Sequence, residues 1–401
     1  MDGNNTNTNK YVIIINGLNI PITSLLSILI DNWTPPHPKM WGNIKVTHKY
    51  IKRVLNMYRT RVGVDLAKKV IQVCTYRNKK VQSNIEMTPD EFLCWLIKSK
   101  PATVIFEACS TSNYWKQKAI EAGHDARLIS AKLVATVRQN QKTDKNDALA
   151  IVQTASLPDV TFIGGKTVEQ QQLQSIKRLR ELAVKQQGAS QKQLVSLLLE
   201  LNIRISNRKG GIISAIEGVL EAPENGLSAE CRAAIHTAKE QLSVLTKSIH
   251  RYDDCLEKSV AAHPDCKKLL KLEGVGTTNA INLYLALGCA EIGTFSKGRD
   301  ASACIGVTPI QYSSGGTVKL GSIGKYTKNS LLRSQLVCGA MATIRHIVKR
   351  EAKTKKEVWL KALVERRGKK CAAVALANKT IRTAYAMLTQ GTEYKAVLLV
   401  A

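Results

Sequence analysis

Between residues 61 and 129 the apolar pattern admits few folds. Three short apolar runs follow one another at 61–66, 70–76 and 81–85. The chain then alternates, with a helix over 89–99, a strand over 102–107, a helix over 112–122 and a strand over 125–129. Lys68, Lys69, Lys79 and Lys80 fall where the opening strands must turn through solvent. Strands that come first in succession and then in alternation with helices imply a layered α/β domain.

That order is the one of a ribonuclease-H-like fold, and two positions in it break the apolar rule. Asp65 sits inside Val62-Gly63-Val64-Asp65-Leu66-Ala67, and Glu107 ends the apolar run 102–107. A carboxylate in either place costs several kcal/mol if it is buried without partners. Downstream, Lys142-Thr143-Asp144-Lys145-Asn146-Asp147-Ala148 reads as a helix start. Thr143 is the N-cap, and Asp144 and Asp147 lie three apart on one helix face. Acids also favour a helix N-terminus for its dipole alone, so the pair by itself says little. Together the four make a D-E-D-D set that repels itself unless solvated or neutralised by divalent cations. Oxygen ligands of this kind suit Mg²⁺ or Mn²⁺ and point to two-metal phosphodiester chemistry.

The charge balance agrees. Of 401 residues, 59 are Lys or Arg and 31 Asp or Glu, a net charge of +28 spread along the whole chain, which favours a polyanionic partner, nucleic acid first. Ten cysteines, none in a C-x-x-C pair and most within apolar runs, read as reduced core residues of a cytosolic protein rather than a zinc site. The apolar stretch 12–30 is interrupted by Asn16, Asn19 and Pro21, which argues against a membrane span, and it lacks the flanks of a signal peptide. A Pro-rich segment follows it, Met57 precedes the first strand, and residues 1–56 are expected to be an extension outside the core.

Further on, apolar residues recur at helical spacing over 173–201 and again over 228–259. The intervening 202–226 carries the breaks Gly210-Gly211 and Ala222-Pro223-Glu224-Asn225-Gly226, so the two runs are expected to form an antiparallel hairpin or coiled-coil arm. Gly274-Val275-Gly276, between two amphipathic stretches, resembles a helix-hairpin-helix turn whose amides can hold a phosphate, although such turns also serve as plain connectors. Tyr312-Ser313-Ser314-Gly315-Gly316 offers a sterically open hydroxyl, with Lys319, Lys325 and Arg333 behind it to neutralise a phosphate; the alternative is a glycine-rich β-turn with basic flanks. The chain thus divides into an extension (1–56), an α/β catalytic domain (57–160), a helical linker region (167–263), a mostly helical C-terminal domain with the serine motif (264–350) and a helical tail (351–401).

In this order, Asp65, Glu107, the Lys142 to Ala148 segment, Gly274-Val275-Gly276, Tyr312 to Gly316 and Leu332-Arg333 resemble the DEDD transposases of insertion-sequence family one hundred and ten, relatives of the Piv invertase. The resemblance runs from Met57 to Gly339 and is less diagnostic towards Ala401. It implies a RuvC-like N-terminal domain joined through a coiled coil to a C-terminal transposase domain. It implies Mg²⁺ held by Asp65, Glu107, Asp144 and Asp147, and a serine that attacks DNA to form a phosphoserine link; Ser314 fits best, with Ser313 the alternative. It further implies guidance by a non-coding bridge RNA that pairs with target and donor DNA. Exchange of four strand ends calls for a homodimer or homotetramer, working in the cytoplasm at the nucleoid. Residues 1–56 have no counterpart in the family pattern, and Cys74 stands where a histidine is often seen.

Three other readings compete. A RuvC-like Holliday-junction endonuclease would keep the carboxylates and use water as the nucleophile. An actin-fold sugar kinase or ATPase also opens with Val-Gly-x-Asp-Leu, but no later Asp-Gly-rich phosphate loop follows here and the charge suits DNA better. A non-catalytic nucleic-acid scaffold would have no use for Asp65.

Overall fold

The computed structural model describes residues 12–15, 18–21, 60–205, 211–288, 295–324 and 330–399, the first two as backbone only. Residues 1–59 and 60–401 form separate compact units. In the first, β1 (Val12–Ile15) pairs antiparallel with β2 (Leu18–Pro21). Met57 and the Pro-rich segment lie outside the described residues.

The second unit opens with β3 (Arg61–Leu66), β4 (Ile71–Arg77) and β5 (Lys80–Met87), which pair antiparallel in sequence. Asn78 and Lys79 link β4 to β5 with φ of 52° and 60°, the left-handed pair that a two-residue hairpin turn requires. Helix α1 (Pro89–Lys98) follows, started by a reciprocal Thr88–Glu91 capping box, and returns the chain to β6 (Thr103–Glu107) beside β3. Helix α2 (Ser112–Glu121) leads to β7 (Asp125–Ile129), parallel to β6. The order is β5-β4-β3-β6-β7, a mixed sheet.

The period of two along each strand sends alternate side chains to opposite faces. Val62, Val64, Val104 and Phe106 pack with Phe92 and Leu96 of α1 and Trp115 and Ala119 of α2. On the other face Ile105 and Ile129 meet Val134 of α3 (Ala131–Val137) and Ala150 and Ile151 of α4 (Asp144–Thr154). Central strands covered on both sides carry apolar residues on both, which is why an acid in β3 or β6 stands out.

Beyond the sheet, α5 (Val168–Glu200) and α7 (Ala229–Ala262) run antiparallel. Arg180 pairs with Asp253, and seven residues on Gln187 Nε2 donates to Thr246 Oγ1 at 2.8 Å, the ladder of an antiparallel hairpin. The segment between them is not all loop. Gly211–Glu221 forms α6, whose Ile212, Ile216 and Val219 close a small core with Leu194, Leu198, Ile235 and Leu242. Gly211, with φ of 83°, starts this helix.

The described residues of the C-terminal part are mostly helical, with one hairpin among them. It comprises α8 (Pro264–Leu269), α9 (Thr277–Leu283), α10 (Gly298–Ile305), β8 (Pro309–Ser314), β9 (Thr317–Ile323), α11 (Ser330–Ile347) and α12 (Lys355–Thr389). Helix α12 turns at Gly368, whose φ of 78° is not helical. Leu360, Leu376, Ile381 and Met387 of α12 pack with Leu269, Ile281, Leu336 and Ile344 in the largest core of the chain. No helix among the described residues is long and apolar enough to cross a membrane.

Candidate active site

Strand geometry brings the first two carboxylates together. In the parallel pair β3/β6, Val64 lies beside Phe106, so Asp65 and Glu107 sit side by side at the carboxyl ends of the two strands. They share the face on which α4 packs, because Gly63 and Ile105 are paired on that face two residues earlier. The carboxyl ends of parallel strands are where α/β sheets bind their ligands.

Gly63 sets how close α4 can come. A Cβ at this position would overlap the carbonyl oxygen of Ala148 and stand 3.0 Å from the amide nitrogen of Val152. Both obstacles are backbone atoms of α4, which cannot swing aside as a side chain would. The helix begins where the sequence places it. The Thr143 side chain accepts from the amide of Asn146, and the amide of Asp147 donates to the Thr143 carbonyl at 2.8 Å. Asp144 and Asp147 occupy the first turn. Asp147 is 8% exposed and accepts from Arg138 Nη1 at 2.8 Å, so a cation from the end of α3 already stands on this carboxylate. Nothing in the local sequence marks Arg138 as its partner.

The four acids act on one another electrostatically. Asp65 is pushed above the usual carboxylate range, first by burial and then by the negative charges of Asp147 and Asp144, against a smaller opposing pull from Lys142. Glu107 is raised for the same reasons, by burial and then by Asp65 and Asp147, with Arg138 and Lys142 opposing. For both, burial and the neighbouring acids outweigh the opposing pull of Arg138 and Lys142. Among the described residues no three His, Cys, Asp or Glu side chains converge on one ion-sized point, so the arrangement is open. Carboxylate oxygens are the donor type that hard divalent cations take, and a cation among them would relieve the repulsion.

The serine motif is a hairpin. Ser314 pairs with Thr317 across Gly315 and Gly316, whose φ values of 55° and 80° make the two-residue turn that matches the strands' twist. Both serines are exposed; Gln311 Nε2 donates to Ser313 Oγ at 2.9 Å, and Ser314 stands at the tip. The Gly-Gly pair thus serves as a β-turn that presents a hydroxyl. The acids and bases that act on Asp65 and Glu107 all lie between residues 65 and 147, and the hairpin supplies none of them. At its base Arg333 Nη1 donates to the Ile323 carbonyl at 3.2 Å and fills the space left by the missing side chain of Gly324. Lys319 is exposed on β9, and Lys325 lies outside the described residues.

The glycine turn between α8 and α9 has a different geometry from its neighbour in sequence. Gly274, with φ of 77°, packs on α11 so closely that a Cβ would stand 2.8 Å from the carbonyl carbon and oxygen of Gly339. Asn279 Nδ2 fastens the contact by donating to the Gly274 and Gln335 carbonyls, each at 3.2 Å. Gly274 is occupied by packing, whereas Gly276, at the head of α9, is exposed. Near α10 and α12 a groove of about 1480 Å³ is lined by Lys297, Arg299, Lys370, Lys379 and Arg382, with no carboxylate among the lining residues. Lys379 Nζ lies 4.8 Å from the ring centroid of Trp359, which is 37% exposed.

Comparison with known proteins places this architecture. Residues 62–203 match the family model of DEDD transposases of the IS110 type, and residues 266–357 match the model described as "Transposase IS116/IS110/IS902 family". The chain is 32% identical over 335 residues to the transposase for insertion sequence element IS1111A of Coxiella burnetii, covering 83% of this chain and 91% of that protein. It is 32% identical over 343 residues to a probable family 20 transposase of Pseudomonas aeruginosa, covering 84% and 99%. It is 28% identical over 344 residues to the transposase for insertion sequence element IS1328 of Yersinia enterocolitica, covering 84% and 98%. The first match spans the four carboxylates, the second runs through the glycine turn and the serine hairpin, and the chain belongs to the IS110 family of DEDD transposases.

Proposed function

We propose that this transposase excises and inserts its own element by Mg²⁺-dependent, serine-mediated strand exchange, on a RuvC-like sheet and a C-terminal transposase domain. The observation that carries this reading is that one chain holds both four mutually repelling carboxylates, at the ends of β3 and β6 and in the first turn of α4, and an exposed hydroxyl on a glycine turn. Asp65, Glu107, Asp144 and Asp147 would hold the metal, Mg²⁺ or Mn²⁺. When bound, it supplies charge neutralisation and polarisation of a DNA phosphate. Ser314 Oγ then attacks the phosphorus, one bridging oxygen departs as a free DNA hydroxyl, and a phosphoserine ester remains. Attack by the hydroxyl of another strand reverses the step, so one phosphodiester is exchanged for another with no outside energy source.

Ser314 is proposed to attack a phosphate held at the acids when DNA is bound. This suits a composite site in a homodimer or homotetramer. DNA ends and target are the proposed substrates and a bridge RNA the proposed guide. The net charge of +28, the basic groove around Arg382 and the exposed Lys319 and Gly276 support a nucleic-acid partner. Arg333, tied to the Ile323 carbonyl, is proposed to steady the hairpin as well as to face phosphate.

The test is a denaturing-gel search for a protein–DNA adduct, with the protein co-expressed with its element's flanking non-coding DNA in the presence of Mg²⁺. The expected result is an adduct that disappears in Ser314→Ala and in Asp144→Ala and persists in Ser313→Ala. Cleavage without an adduct, indifferent to both serine changes, would overturn serine chemistry and leave a Holliday-junction endonuclease that uses water.

A further inference from the structure

Gln72 lies in the middle of β4, is 1% exposed, and is paired in register with Asp65 on the face that α4 covers. Its amide is half used. Gln72 Nε2 donates to Asn84 Oδ1 at 2.8 Å, and Asn84 Nδ2 donates to the Lys145 carbonyl at 2.9 Å. Lys145 follows Asp144 in the first turn of α4, so two side-chain amides link the strand partner of Asp65 to the turn that carries Asp144 and Asp147.

The orientation of both amides is fixed by this chain. The Lys145 carbonyl only accepts, so Asn84 must offer it the NH₂ group. Asn84 then presents its oxygen to Gln72, and Gln72 must answer with its own NH₂. What remains is Gln72 Oε1, fully buried and without a hydrogen-bond partner among the described residues. A buried acceptor left unsatisfied is costly and rare, and such a group implies a donor that the protein alone does not supply. Ionised carboxylates cannot fill the role, because they only accept. Water held on a cation donates only, and acids paired with such a cation draw it to this face.

We infer that Gln72 is a positioning residue of the acidic site, holding the first turn of α4 through Asn84 and accepting at Oε1 a hydrogen bond from water carried by the divalent cation. This rests on the reading of the four carboxylates as the metal ligands. Partners of this kind orient a site's ligands, and their loss weakens metal affinity about 10–100-fold.

The test is Mn²⁺ titration of the full chain followed by electron paramagnetic resonance, with Gln72→Met, Asn84→Ala and Asp144→Asn beside the wild type. Gln72→Met keeps length and burial and removes only the amide. Asn84 is half-buried on the outer strand β5, so its truncation is tolerated if Gln72→Met fails to fold. Expected are Mn²⁺ affinities about 10–100-fold weaker in Gln72→Met and Asn84→Ala, with thermal midpoints of the metal-free proteins close to wild type. Amide exchange of residues 143–148 should also quicken in Asn84→Ala. Wild-type Mn²⁺ affinity in Gln72→Met, or in Asn84→Ala should the first not fold, would overturn the inference and leave the metal reading intact. Failure of the wild type to bind Mn²⁺, or equal binding by Asp144→Asn, would overturn both.

Discussion

The two halves of the proposed site are built on opposite principles. At the ends of β3 and β6 each acid is fixed from several directions: by strand register, by the close contact at Gly63, by the Thr143 cap, by Arg138 on Asp147 and by the Gln72–Asn84 link to Lys145. Ser314 stands on an exposed two-residue turn, at whose hairpin base Arg333 donates to the Ile323 carbonyl. A group that must grip a cation gains from a rigid frame, whereas one that must reach a phosphate gains from projection. The cost of the rigid frame is charge: Asp65 and Glu107 are held together although each resists ionisation.

The sharpest way to break the comparison is to remove one chemical group from each half. Asp144→Asn and Ser314→Ala should each lower strand exchange about 10³-fold or more, measured as element excision from a reporter plasmid, while leaving the thermal midpoint near wild type. If Ser314→Ala excised as well as wild type, the hairpin would have no part in the chemistry. Next in size is Gly63→Ala. Its methyl must displace the backbone of α4 at Ala148, which should destabilise the fold by about 1–3 kcal/mol in denaturant unfolding and reduce excision with it. Undiminished stability in that variant would show that α4 can stand off from the sheet, and the rigid-frame account would fail.

The same contrast predicts a pH signature. Asp65 and Glu107 bind protons more tightly folded than unfolded, so the stability they contribute is fully present below their ordinary carboxylate values. It is lost as pH rises through their raised folded values. Metal-free wild type should therefore have a lower thermal midpoint at pH 7 than Asp65→Asn, and the gap should narrow as the buffer is acidified. Mg²⁺ should raise the midpoint of the wild type and not that of the variant. An Asp65→Asn protein less stable than wild type at pH 7 would mean that Asp65 is satisfied by the protein itself and has no need of a cation.

How much of this could be read from the chain depends on the range of the interaction. Asp65 and Glu107 were legible because a carboxylate in a strand buried on both faces violates a local rule, and Thr143-x-x-Asn146 with its acids announces a helix start. The two long helices of the arm followed from their periodicity. The helix Gly211–Glu221 was hidden between Gly210-Gly211 and Pro223, and its packing against Leu198 and Leu242 is long-range. Gly63 looks like any strand glycine until α4 lies across it. Gln72 reads as the polar residue of an alternating strand, and nothing in the sequence says that its outer face is covered. Arg138 meets Asp147 across a loop, without a spacing to reveal it. For the serine motif, a phosphate-cradling loop and a basic β-turn both fit Gly315-Gly316 in the sequence; the left-handed φ at both glycines gives its backbone the form of a hairpin turn.

The smallest expected effect separates projection from packing within the hairpin itself. Gly316 has φ of 80° and nothing within 4 Å of a Cβ built on it, so Gly316→Ala meets no obstacle but a conformation that L residues avoid. The strain is about 1 kcal/mol and falls on a turn at the tip. The global unfolding midpoint should hardly move, since the strands on either side are exposed and the cores lie elsewhere. Adduct formation should drop several-fold all the same, because this turn sets the direction in which Ser314 projects. Gly63→Ala should lose stability and activity together, and Gly316→Ala activity alone. If the two variants behaved alike, Ser314 would be as firmly framed as the carboxylates, and the division between a rigid acid site and a projecting nucleophile would be wrong.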